Sequence, residues 1–287
     1  MFPSNNAVWL LLALLTCWSS AQTFPSIAEV DLFPRNYTAQ TFPSIAEVDL
    51  LFPRNDTYAP TVLMPVVFAI QNPLLAVPLD LAVEWYLYEL TDGNRTAVDN
   101  GMIAYPFFDG PASGPHYGYN SLYNQTTLEG TWSLLWTLSS LNCTQFLPNH
   151  SFVPDYVQVN TVMFTTKNGA QAADLVAATA DDVCASAESF TFNVTGVETV
   201  SIGRGNSVTG CAVVESMLPT PSPNPCAAQL NATGASSISV ALTTSICHMP
   251  SSLVSCPAKS AGSIEAQLGG PMWVVATFGW LLYTIVG

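Results

Sequence analysis

The chain has 287 residues, 49% apolar and only 9% charged, so it can bury one large core or two small ones. Twenty carboxylates against six Lys and Arg give a net charge of -14. That balance excludes a nucleic-acid partner, whose phosphates need a basic footprint, and electrostatic docking on anionic lipid.

Taken in chain order, Ala7 to Leu15 is an apolar run too short to span a bilayer. Ser19 and Ala21 follow as small residues before a cleavage point, so residues 1–21 read as a secretory signal peptide without a basic n-region. Residues 21–38 recur almost unchanged at 39–57, the second copy having one extra residue, Leu51. One residue moves every later side chain of a strand to its other face. The second copy is therefore expected in the sheet, and 22–40 as a disordered duplicate.

Val66 to Ile70 alternates as a largely buried strand and ends at Asn72-Pro73. In the next strand Leu81, Val83, Trp85 and Leu87 point one way; Glu84, Tyr86 and Tyr88 point the other. A turn at 91–94 follows, and the Gly-, Pro- and aromatic-rich stretch Ala104 to Asn120 reads as a long loop. Trp132, Leu134, Trp136 and Leu138 mark another strand, their alternation placing the three tryptophans Trp85, Trp132 and Trp136 in the core. Val157 to Thr166, Phe190 to Val194 and Val208 to Val214 are strands. Residues 170–183 read as a short helix or loop, and Pro219 to Pro225 as a stiff connector. Between Cys226 and Cys247, Ala227, Leu230, Ile238, Leu242 and Ile246 recur with a helical period, while Ser237 to Thr243 also alternates as a strand could; the helix is favoured. The fold class expected is mostly β, an antiparallel β-sandwich of immunoglobulin or fibronectin type with a C-terminal helical segment, built from about seven strands over 41–256.

Six cysteines follow the signal: Cys143, Cys184, Cys211, Cys226, Cys247 and Cys256. An even count behind a signal peptide reads as three disulfides of open connectivity. Eight Asn-x-Ser/Thr sequons, at Asn36, Asn55, Asn94, Asn124, Asn142, Asn149, Asn193 and Asn231, imply a glycosylated exterior. At the other end, Ser260 lies among small residues, a polar spacer completes 257–270, and 271–287 is apolar with nothing charged after it. That is the layout of GPI attachment at Ser260; the rival is a membrane span, for which fifteen apolar residues are short. The partner expected is thus the outer membrane leaflet through a GPI anchor, and the location secreted or at the cell surface.

Catalytic constellations are sparse. No nucleophile elbow, phosphate loop or zinc-helix motif occurs. His116, His150 and His248 are far apart in sequence. No cofactor and no metal is called for. The acids Glu84, Asp174, Asp181 and Asp182 would have to face one another across a cleft to serve a glycoside hydrolase. Glu84 with Tyr86 and Tyr88 offers a sugar-stacking platform instead, unless the 104–120 loop covers it; Tyr117 is a further aromatic candidate.

The runs VDLLFPRNDTYAP and MPVVFAIQNP, together with FTTKNGAQAADLVAATADDVC and SFTFNVTG, resemble an uncharacterised family of fungal secreted proteins classed as a domain of unknown function. The resemblance implies a signal peptide and often a GPI-like tail, and it implies no catalytic residues. The expected function is a non-enzymatic, glycosylated surface protein with a structural or adhesive role. The alternatives are a module binding cell-wall polysaccharide and a glycoside hydrolase.

Overall fold

The computed structural model describes residues 41–90, 96–104, 113–143, 156–202, 207–214, 221–249 and 252–256. The signal peptide, the first copy of the repeat, the turn at 91–94, Asn36, Asn94, Asn149, His150, Ser260 and the apolar tail lie outside the described residues.

Among the described residues, ten strands form two five-stranded sheets. The strands are β1 (Ser44–Phe52), β2 (Thr57–Tyr58), β3 (Leu63–Gln71), β4 (Ala82–Glu89), β5 (Ala97–Ala104), β6 (His116–Tyr123), β7 (Gly130–Ser140), β8 (Tyr156–Thr166), β9 (Glu188–Ile202) and β10 (Ser207–Val214). The first sheet has the order β10-β9-β1-β3-β6 and the second β2-β8-β7-β4-β5. All pairings are antiparallel except the short β2–β8 pair. One helix, α1 (Ala232–Cys247), follows the last strand.

Alternation builds the core between the sheets. Val48 pairs with Ile70, and Leu50 with Phe68; Trp85 pairs with Trp136 across β4 and β7. Phe68 meets the Trp136 ring edge-on at 5.2 Å between centroids, and Phe190 approaches it at 4.9 Å. Trp85, Trp132 and Trp136 are all buried. Each such side chain is worth about 1.5–3 kcal/mol or more on burial.

β1 and β3 are buried on both faces, because the C-terminal segment covers the outer face of the first sheet. The strap 221–230 and α1 form this roof. Thr191 Oγ1 donates to Pro221 O at 2.7 Å, Tyr117 OH to Gln229 O at 3.1 Å, and Leu230 N to Thr179 Oγ1 at 3.0 Å. Asn231 caps α1, its Oδ1 accepting from Gly234 N at 2.8 Å, and Ile238, Leu242 and Ile246 point inward. An N-cap side chain satisfies donors the helix itself leaves open.

Disulfides join Cys143 to Cys211, Cys184 to Cys226 and Cys247 to Cys256. The first pair ties the end of β7 to β10. The second holds the strap, and the third pins the end of α1.

One expectation changes, and one strand was not anticipated. The loop expected over Ala104 to Asn120 ends in a strand, since His116–Tyr123 is β6 at the edge of the first sheet. An edge strand has no need of an apolar stripe, and HYGYNSLY has none. β5 was hidden for the same reason: it is also an edge, and its Asp-Asn-Gly centre reads as a turn. Gly101 has a packing reason, because a Cβ there would lie 2.6 Å from Cε2 of the buried Trp85. Residues 170–183 hold a short 3-10 turn, Ala177–Thr179, and another follows at Cys184–Ser186.

Candidate functional site

The second sheet turns its outer face away from the core, and none of the described segments roofs it. Register places its side chains in rows. Met102, Glu84, Thr137 and Val159 form one; Asn100, Tyr86, Leu135 and Thr161 the next; Tyr88, Ser133 and Met163 a third. Tyr86 and Tyr88 are half-buried at the centre, while Met102, Val159 and Met163 are 50–60% exposed. Successive same-face residues of a strand are about 6.8 Å apart, so the two tyrosines are side by side. Tyr86 OH donates to Glu84 Oε2 at 3.4 Å. The result is a flat aromatic patch rimmed by hydroxyl, amide and carboxylate groups. β6 belongs to the other sheet, so the part of 104–120 it contains does not cover this patch. Residues 105–112 lie outside the described ones.

Tyr117 is elsewhere. It pairs with Ala69 on the first sheet, its hydroxyl is tied to the strap, and burial pushes its phenol pKa up.

A cleft of about 780 Å³ opens beside the β1–β2 turn, lined by Arg54, Asp56, Tyr58, Asp174, Asp182 and Glu188 among others. Most of these groups are committed. Arg54 Nη2 donates to Val183 O at 2.9 Å and Ser186 Oγ at 2.6 Å, and burial draws its pKa down. Tyr58 is pushed up to about 12, chiefly by burial. Asp56 Oδ1 accepts from Thr57 N, Asp174 Oδ1 from Val176 N and Ala177 N, and Glu188 Oε2 from Asn160 Nδ2. Asp181 accepts from Gln229 Nε2. Of the acids singled out from the sequence, Asp174 and Asp182 therefore line one cleft, whereas Asp181 is outside its lining and Glu84 is on the outer face of the second sheet.

A pair of acids that sequence reasoning passed over does converge. Glu47 and Asp49 are two apart on β1 and share one face, under the strap, 4% and 0% exposed. The signal was available as two carboxylates at strand spacing inside an otherwise apolar run. The stretch reads as an apolar strand entry, and nothing local announces the roof that buries its two acids.

His116 lies in β6, where burial lowers its pKa; His248 ends α1, its Nδ1 2.7 Å from Thr244 O. Among the described residues no group of three His, Cys, Asp or Glu is placed to hold a metal ion. Among them, too, no helix is long and apolar enough to cross a membrane. Of the five described sequons, Asn55, Asn124 and Asn231 are exposed, Asn193 is half-buried and Asn142 is 5% exposed. Asn142 Nδ2 donates to Val214 O at 3.2 Å, and its Oδ1 accepts from Val214 N at 3.0 Å.

Fold and surface together define a disulfide-stapled, two-sheet β domain, roofed on one side and, among the described residues, uncovered on the other. The chain belongs to the family described as a domain of unknown function, DUF7136, whose family model matches residues 41–256. No curated protein matches the chain.

Proposed function

We propose that this is a non-enzymatic, glycosylated domain displayed at the outer cell surface, and that it adheres to cell-wall polysaccharide through the open face of the second sheet. One observation carries the reading. The first sheet's outer face is closed by the strap and α1, whereas the second presents Tyr86 and Tyr88 flanked by Glu84, Asn100, Thr137 and Thr161. Aromatic faces stack on the apolar faces of sugar rings, and the polar rim meets their hydroxyls. Three disulfides support an oxidising, extracellular setting. A hydrolase reading has less behind it: Asp174 and Asp182 share a cleft, but Asp174 is spent on Val176 N and Ala177 N, and Asp56 and Glu188 likewise accept from their own neighbours.

The test is co-sedimentation with insoluble β-glucan and chitin, comparing the natural chain with Tyr86→Ala and Tyr88→Ala. The natural chain binds, and each substitution weakens binding about tenfold, the equivalent of about 1.4 kcal/mol. No binding by the natural chain, or equal binding by the variants, removes the reading. Attachment through Ser260 is tested separately: phosphatidylinositol-specific phospholipase C releases the protein from intact cells, and retention argues for a membrane span instead.

A further inference from the structure

The two carboxyls under the strap are a construction that the binding face does not need. Gln71 Nε2 donates to Glu47 Oε1 at 3.0 Å, to Asp49 Oδ2 at 2.9 Å and to Asn224 O at 2.8 Å. Asn224 N donates to Glu47 Oε1 at 2.7 Å. Gln71 has two amide protons for three acceptors, so these bonds alone do not satisfy the cluster. The two carboxyls share the one Gln71 amide, each accepting from its nitrogen. Asp49 Oδ1 is buried with no partner among the described residues. Two bare anions here would stand side by side, out of water, against one amide. Two like charges in one dry site do not both ionise readily.

The surroundings offer little relief. β3 brings Gln71, β9 brings Thr191 opposite Glu47 and Ser189 opposite Asp49, and the strap brings Asn224. None of these titrates. Asp49 is the one ionisable group acting on Glu47. Arg54, at the far end of β1, acts on Asp49 and is shared with Glu188 and Tyr58.

We propose that the Glu47–Asp49 pair, holding one proton between its carboxyls, is an acid-set clasp that keeps the strap 221–230 on the first sheet and loosens it as the surroundings turn alkaline. With the proton in place, only one of the two carboxyls is charged, and Glu47 accepts from Asn224 N of the strap. Losing the proton sets two buried anions against each other around one amide; lifting the strap admits water to both. The Cys184–Cys226 disulfide keeps the lifted strap tethered, so the device loosens this side of the domain without releasing it.

The sign follows from proton binding. Glu47 is raised from 4.5 to about 8, mainly by burial and then by Asp49. An open strap returns it toward its ordinary value, so the open form binds fewer protons between those limits. Opening therefore becomes more favourable as pH rises, by up to about tenfold per pH unit, and levels off above the upper limit.

The test is amide hydrogen exchange on the full chain between pH 5 and 9, corrected for intrinsic exchange, read on peptides covering 221–231. Peptides from β7 and β8 serve as the control. In the natural chain, strap protection falls toward pH 8 while the control holds. Glu47→Gln keeps the acceptor oxygen but cannot ionise, and its strap protection is flat with pH. Asp49→Asn removes the neighbouring acid and reduces the slope. A flat profile in the natural chain overturns the proposal. So does the same slope in Glu47→Gln or, should that variant not fold, in Asp49→Asn.

Discussion

The carboxamide of Asn142 makes a sharp test of which sequons the fold can spare. It is 5% exposed and engages both backbone groups of Val214, itself 4% exposed. Val214 lies where the β9–β10 register shifts, so the ladder is irregular there and a side chain completes it. Asn142→Ala leaves a buried N–H and a buried C=O without this partner. Each unpaired buried group costs about 1–3 kcal/mol, so the sum is about 2–6 kcal/mol. Against a typical total of 5–15 kcal/mol, that is a large share. A glycan on the same nitrogen would remove one of its two protons and drive a sugar into the core. Asn142 is therefore expected unmodified in the folded protein. The companion variant, Thr144→Ala, abolishes the sequon and leaves the carboxamide. Urea unfolding with disulfides intact measures the stability, and intact mass with peptide mapping reads the glycans. Asn142→Ala loses about 2–6 kcal/mol, while Thr144→Ala changes neither the glycan complement nor the midpoint. An Asn142→Ala chain within about 0.5 kcal/mol of the natural one, or a glycan found on Asn142, refutes the reasoning.

Gly101→Ala drives a methyl into the Trp85 ring and near Asn120 Nδ2, and is expected to cost about 1–3 kcal/mol by urea unfolding. The global pH dependence has the sign of a raised acid. Glu47's contribution is complete below about 4.5 and is lost as pH rises to about 8, by at most about 1.4 kcal/mol per unit. The urea midpoint should fall over that window, and Glu47→Gln should lack the fall. A non-reducing peptide map should return Cys143–Cys211, Cys184–Cys226 and Cys247–Cys256, with any other pairing counting against the topology.

Alternation made the central strands legible: β3, β4, β7 and β8 each keep one or both faces dry, and their apolar residues say so. The edge strands β5 and β6 were hidden because an edge places little in the core; His116–Tyr123 is held by pairing with β3 alone. The helix was legible from Ile238, Leu242 and Ile246, but its destination was not. Periodicity states which face is dry and is silent about what dries it. That gap hid the site under the strap. Glu47 and Asp49 look like the polar side of a half-buried strand until a segment some 175 residues later is laid on them. Tyr86 and Tyr117 looked equivalent in sequence, and the same roof separates them.

Leu51 ties the duplication to the fold. In β1 the pairing with β3 passes from Leu50 opposite Phe68 to Phe52 opposite Val67, so β1 spends one extra residue there, a β-bulge. Leu50, Leu51 and Phe52 are all buried, at 1%, 2% and 0% exposure. The first copy reads VDLFPRN where the second reads VDLLFPRN, and the missing residue falls at the bulge. A bulge re-aims everything after it. Here that includes Phe52, whose ring meets that of Tyr58 tilted by 51° at 4.9 Å, and Arg54, whose backbone N–H donates to Tyr58 OH at 3.0 Å. Deleting Leu51 from the second copy makes the two copies alike at this point. It removes a buried Leu, worth about 2–5 kcal/mol, and misplaces Phe52 and Arg54 as well. The full chain lacking Leu51 is expected to unfold several kcal/mol more easily, whereas a chain lacking 22–38 keeps the natural midpoint. Equal midpoints for the natural and Leu51-deleted chains would mean that the first copy can serve as β1, and that the bulge is dispensable.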